Sequence, residues 1–413
     1  MPRSLCTKRK GCPTVFPIHA IWRLRRFVLA TLMSLLFSGI SSVSAGVLEC
    51  GANTGVPTSV AQKLDKVLQQ IITSKLGRAP GAVLSVSGPS WRYAKSAGTA
   101  DPTNGAPMAC DRPFQIGSNT KMMTATVLLQ LQEEGKLSID DLLKTHLPEI
   151  AAQLPHGEII TLRQLAQHTS GVFSYTDNAP DGTPGLMEGA VNDVKALRRH
   201  LIPKEMIEFV IAHGRPNFRP GEDNAWSYSN TGYTLLGLVI ESLEERPIGK
   251  SFETRIFAPL GMERTYFWSA IPRSHFGLPR SYLSAPFEYE TTDWNMSQGW
   301  AAGAVVSTVE DMHTFIEALV EGELFQNPET LSEMMATTTT THPALVGYGL
   351  GLANKGPNLW GHGGQTLGFE SEVAAFVGNG ISIVAFGTSS SNALGFGSIL
   401  ISDALREAGA LVD

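Results

Sequence analysis

Strand-forming segments stand at both ends of this 413-residue chain, and helical ones fill the middle. Gly81 to Ser87 and Trp91 to Ala97 read as two short strands joined at Gly88-Pro89. Tyr348 to Leu352, Glu370 to Val377 and Ile381 to Thr388 read as strands near the other end. From about Asp140 to Glu290 the pattern is helical with long loops, and helices are expected at 161–168, 204–213 and 231–244, with another at 308–320. Strands so far apart pair most simply in one antiparallel sheet, with the helical stretch as an insertion. Val60, Leu64, Val67, Leu68, Ile71 and Ile72 recur at helical spacing, so 58–75 is expected to be an amphipathic helix, and a last helix fits 393–408. The expected fold class is α+β: an antiparallel sheet flanked by helices, from about 58–138 and 291–408, with a helix-rich subdomain inserted at about 139–290.

The N-terminus reads as separate from that fold. Residues 1–45 carry seven basic residues and no acidic one, then the apolar run Phe27 to Phe37, then small residues ending Val43-Ser44-Ala45. This is the layout of a secretory signal peptide, so export to the periplasm or medium is expected, with 46–413 as the mature chain and no stable membrane span. Arg25-Arg26-Phe27-Val28-Leu29 hints at the twin-arginine route. Cleavage after Ala45 would leave 25 basic and 38 acidic residues, a balance that argues against nucleic acid as partner. Cys50 and Cys110 remain, and an even pair in an exported protein reads as one disulfide, the alternative being two separate thiols.

Three short motifs carry chemistry. Gly117-Ser118-Asn119-Thr120-Lys121 directly precedes the apolar helix expected at Met122 to Glu134. If Ser118 opens that helix, Lys121 lies one turn on along the same face. The positive helix end and burial both favour a neutral lysine, which can take the hydroxyl proton. Tyr228-Ser229-Asn230 enters the helix that follows it. A phenol near an ammonium can shuttle a proton, and an asparagine amide can both donate to and accept from a substrate amide. Trp360-Gly361-His362-Gly363-Gly364-Gln365 stands just before two strands, where glycines let a strand edge approach a ligand and His362 supplies a polar or cationic group. Each motif taken singly also has a plainer reading: Ser118 and Asn230 as helix caps, Tyr228 as core, a glycine turn with an incidental histidine. No two histidines stand at i,i+4 and no Cys/His cluster has zinc spacing, so neither a metal nor a cofactor is expected.

Taken together, in this order, the three motifs resemble the serine β-lactamase and penicillin-binding protein superfamily. Gln115 to Ser118, Glu134 to Leu137, Ile160 to Leu165, His168 to Gly171, Tyr228 to Gly237, Ile256 to Met262 and Gly303 to Asp311 extend the likeness over about 58–408. It is nearest to the D-alanyl-D-alanine carboxypeptidase and D-peptidase branch, which groups with class C β-lactamases and some esterases. The resemblance implies a β-lactamase/transpeptidase-like fold and an acyl-enzyme on Ser118. It implies proton relay by Lys121 and Tyr228 in either order, and Asn230 on the acyl-side amide. Backbone N–H groups of Ser118 and Gln365 would form an oxyanion hole beside His362, Gly363 and Gly364. The substrate would be a small peptide, ester or β-lactam. A catalytically silent sensor that kept the pocket is the alternative from another class. His168 is expected to be structural. Carboxypeptidases with this histidine carry hydroxyl residues after it and an arginine after a Tyr-Gly-Leu-Gly-Leu segment. Here Gly363, Gln365 and, as the nearest cation, Lys355 stand instead, which points toward ester or D-peptide hydrolysis.

Overall fold

The computed structural model describes residues 48–50, 53–73, 79–191, 193–268, 277–283, 290–390 and 397–411. The expected signal segment 1–45 lies outside them, as do the first residues of the expected last helix. Helix α1 (Thr58–Thr73) leads into strands β1 (Gly81–Gly88) and β2 (Trp91–Asp101). Helix α2 (Thr120–Glu133) and helix α3 (Asn230–Glu244) belong to the middle of the chain, and helix α4 (Val309–Val320) leads back out of it. Strands β3 (Ala353–Gly356), β4 (Leu359–Gln365), β5 (Glu370–Phe376) and β6 (Ile381–Gly387) precede helix α5 (Gly397–Glu407).

The strands form one antiparallel sheet, in which the order runs Leu48–Glu49, β2, β1, β6, β5, β4, β3 and Gly347–Tyr348. Chain ends meet at its centre, where β6 pairs with β1 from Ser382 opposite Ser87 to Gly387 opposite Ala82. The expected α+β architecture is therefore the observed one. On one face α1 and α5 bury Val60, Leu64, Leu68, Ile401 and Leu405 against Leu84, Val86 and Ile383. On the other, Val83, Val373, Val384 and Phe386 join a core with α2, α3 and α4. Cover on both faces is why the central strand β6 reads as a nearly continuous apolar run.

Helix α2 has no polar face: eleven of its fourteen residues are buried. A helix buried on nearly every side lies in the interior, and this one carries Lys121 there with it.

Two strand expectations need correction. Of the 348–352 run only Tyr348 is strand, in the pair Gly347–Tyr348, because Gly351 turns the chain at φ 70° close to the Lys121 carbonyl. The glycine motif at 360–365 is itself the strand β4, held by β5 along its whole length, so glycine's poor strand propensity is overridden by pairing. The plainer reading of Asn230 also changes: Ser229 caps α3, its Oγ accepting from the Gly232 N–H, and Asn230 is the first helical residue.

Cys50 and Cys110 form a disulfide across 60 positions of sequence. Closing a loop of that size stabilises by about 4 kcal/mol in the chain-entropy picture. Cys50→Ser/Cys110→Ser is expected to lower the unfolding free energy by about that amount in urea titrations. A loss under about 1 kcal/mol would mean that the bridge adds no stability.

Candidate active site

The turn that presents Ser118 is a single 3-10 turn, Gly117–Asn119, running straight into α2. The Asn119 side-chain N–H groups donate to Ser371 Oγ (2.8 Å) and the Ile116 carbonyl (3.1 Å), which fastens the turn to β5. Strand β4 passes against it with no room for side chains. A Cβ on Gly364 would sit 2.0 Å from the Ile116 carbonyl oxygen, and one on Gly117 would sit 2.7 Å from the Gln365 nitrogen. Glycines at 117 and 364 thus bring the Gln365 backbone up to the Ser118 turn.

Lys121 Nζ, fully buried, lies 3.0 Å from Ser118 Oγ, 2.7 Å from Asn230 Oδ1 and 2.8 Å from the Ala302 carbonyl oxygen. Two of those three oxygens can only accept. A neutral amine satisfies both with its two N–H groups and turns its lone pair to the Ser118 hydroxyl. Burial independently pushes the Lys121 amine well below the usual lysine range, in agreement with that assignment. The Asn230 amide is held at its other end as well, Nδ2 donating to Thr176 Oγ1 at 3.0 Å.

Tyr228 faces the cavity, and its ring lies 4.8 Å from Lys121 Nζ. A phenol beside an ammonium would be pushed below its ordinary range. Instead, crowding by protein pushes it above its ordinary range, opposed by a hydrogen bond with Ser118. Tyr228 is therefore a neutral phenol beside an amine that burial drives toward its neutral form. His168 sets its place: its Nδ1 accepts from the Ser229 N–H at 3.1 Å, and its ring stacks 4.3 Å from that of Tyr228. To do so His168 holds φ 63°, uncommon for a residue with a side chain.

His362 is buried on β4. Its Nδ1–H donates to the Gly363 carbonyl, and its Nε2 accepts from the Tyr348 hydroxyl at 2.8 Å. Burial, helped by Lys121, pushes its pKa down to about 3. It is a polar group, not the cation that was one of the two expectations. The Tyr228 and His362 ring centres are 6.2 Å apart.

Ser118, Tyr228, His362, Gly363, Gly364 and Gln365 line one cavity of about 400 Å³, and Lys121 and Asn230 lie behind Ser118. The sequence-predicted residues converge. Those not singled out are Tyr348, Thr176, the Ala302 carbonyl and Glu372, whose contacts cross between elements and leave no local spacing. A larger cavity of about 960 Å³, walled by Leu201, Ile248, Phe257, Phe267, Trp268 and Trp300, includes none of the motif residues. Among the described residues no group of three His, Cys, Asp or Glu is arranged to hold a metal.

A family model described as Beta-lactamase matches residues 68–400. The chain is 27% identical over 285 residues to penicillin-binding protein 4* of Bacillus subtilis, covering 66% of this chain and 58% of that one. It is 27% identical over 343 residues to esterase EstB of Burkholderia gladioli, covering 77% of this chain and 82% of that one. Among solved structures, the D-stereospecific amidohydrolase from Streptomyces sp. matches with TM-score 0.69 and 32% identity over 79% of this chain and 94% of that one. The chain spans about half the length of the two Bacillus subtilis relatives it matches.

Proposed function

The chain belongs to the beta-lactamase family of serine hydrolases, and from that premise we propose that it hydrolyses D-configured peptides and amides through an acyl-enzyme on Ser118. The observation that carries the proposal is the Lys121 amine, held by two acceptors with Ser118 Oγ as its third neighbour. The Ser118 oxygen attacks the substrate carbonyl carbon while its proton passes to Lys121 Nζ. That proton then reaches the leaving nitrogen through the Tyr228 hydroxyl as the C–N bond breaks. Water cleaves the acyl-enzyme by the same relay in reverse and restores the Ser118 hydroxyl. The Ser118 and Gln365 N–H groups take the developing oxyanion. The second N–H of Asn230 Nδ2 holds the acyl side, and His362 with Gly363 and Gly364 forms the polar wall. The D-stereospecific relative supports the substrate's hand. We further propose that residues 1–45 are an export signal. The disulfide supports this, and N-terminal sequencing of secreted protein is expected to begin at Gly46.

An esterase is the second reading, favoured by the 82% coverage of the esterase relative. Turnover of matched D- and L-amino acid amides, a D-Ala-D-Ala peptide, nitrocefin and a short p-nitrophenyl ester separates the two. The D-amide is expected to exceed its L form in kcat/KM by roughly a hundredfold. Ester turnover with no amide turnover and no preference of hand would replace the proposal with the esterase reading.

A further inference from the structure

The wall of the Ser118 cavity contains an ion pair that the acyl-transfer chemistry does not use. Lys355, at the end of β3, places Nζ 2.6 Å from Oε1 of Glu372 on β5, and the two side chains are only 9% and 3% exposed. Both residues line the same cavity as Ser118 and Tyr228. Lys355 is the one lysine or arginine among the described residues of that lining. The remaining basic groups there, His342 and His362, are pushed toward the neutral form by burial. Glu372 lies directly opposite Gly363 across the β4–β5 register, and a Cβ at Gly363 would stand 3.4 Å from its Oε2. With glycine at 363 no side chain of that residue stands between the strand and the carboxylate, and β4 is not paired with β3 beyond Gly361.

We infer that the buried Lys355–Glu372 pair determines the leaving-group specificity of this site, admitting acyl donors with an uncharged leaving group and excluding those that depart with a carboxylate. The inference rests on Ser118 as the acylated residue. A leaving carboxylate would need Lys355 as its partner, but Lys355 is already neutralised, and the approach brings a second negative charge beside Glu372. Like charges set together in a poorly solvated wall repel. A primary amide or simple ester meets no such repulsion. The selected class is thus an amide or ester of a D-acyl group, not a D-peptide ending in a free carboxylate.

The test uses the full chain and two esters that differ only in the charge of the leaving group, N-acetyl-D-alanyl-D-lactate and N-acetyl-D-alanyl-D-lactamide. The expected result is a preference for the lactamide in kcat/KM of about tenfold or more. Glu372→Gln, which releases Lys355, is expected to move that ratio about tenfold toward the lactate. Lys355→Met, which removes the one lysine or arginine of the described lining, is expected to move it the other way. This gives the proposal a second readout should Glu372→Gln not fold. Equal turnover of both esters by the wild type, or a ratio that neither substitution moves, overturns the inference. Loss of all turnover together with no labelling of Ser118 by a fluorescent penicillin overturns the acyl-enzyme reading itself. Labelling of Ser118 with neither ester turned over overturns the inference about the leaving group alone.

Discussion

Ser118→Ala is expected to abolish covalent labelling by a fluorescent penicillin and to lower kcat/KM for every substrate by roughly 10⁴-fold or more. The size follows from the role. No other hydroxyl lies within hydrogen-bonding distance of Lys121 Nζ in the described structure, and the Asn230 and Ala302 oxygens around it are carbonyls. Loss of the Ser118 oxygen leaves the amine with nothing to deprotonate. The fold should be indifferent. Asn119, not Ser118, fastens the turn to β5, so unfolding in urea should shift by no more than about 1 kcal/mol. Labelling that survives in a folded Ser118→Ala protein would remove this residue from the centre of the chemistry.

Lys121→Met is expected to lower kcat/KM by about 10³- to 10⁴-fold, at the upper end of what a general base contributes. Methionine keeps the side-chain bulk inside an interior helix and deletes only the amine. The pH profile then separates a base from a merely structural lysine. Acylation needs the neutral amine, so wild-type kcat/KM should fall as pH drops through the lowered pKa of Lys121. His362 is already neutral above about 3 and contributes no limb between pH 5 and 8. Stability carries the same signature with a definite sign. Between the lowered native pKa and the ordinary 10.5, the unfolded chain binds a proton at this lysine that the native state does not. Wild-type stability should therefore rise with pH across that window through this group, and Lys121→Met should remove that contribution to the slope. Chemical denaturation of both proteins at several pH values reads it directly. A pH-rate profile unchanged by the substitution would deny Lys121 the role of base.

Much of the architecture was legible before any coordinates because its signals are local. Helices α1, α2, α3 and α4 follow from apolar spacing, capping residues and glycine stops, and they differ from the expected spans by a few residues. Strand β6 follows from a nearly continuous apolar run, and β5 from the apolar stretch Val373 to Phe376 that ends it. Strand β4 was not legible as a strand, since four of its seven residues, Gly361, Gly363, Gly364 and Gln365, favour no extended ladder by themselves. The three motif clusters could be chosen from order and spacing, but their charge states could not. Lys121 and His362 are driven toward their neutral forms by what surrounds them, and Tyr228 resists ionisation for the same reason.

Sequence alone determined the plan of one antiparallel sheet flanked by helices, and which hydroxyl, amine, phenol and imidazole would meet. Periodicity, caps and motif order are properties of neighbours along the chain. The tertiary structure alone decided that His168 props Tyr228, that Asn230 and Ala302 share the lysine protons, and that Glu372 claims Lys355. These are contacts between residues 17 to 181 positions apart. Burial and partner geometry, which no stretch of sequence encodes locally, set both their protonation and their consequence for the substrate.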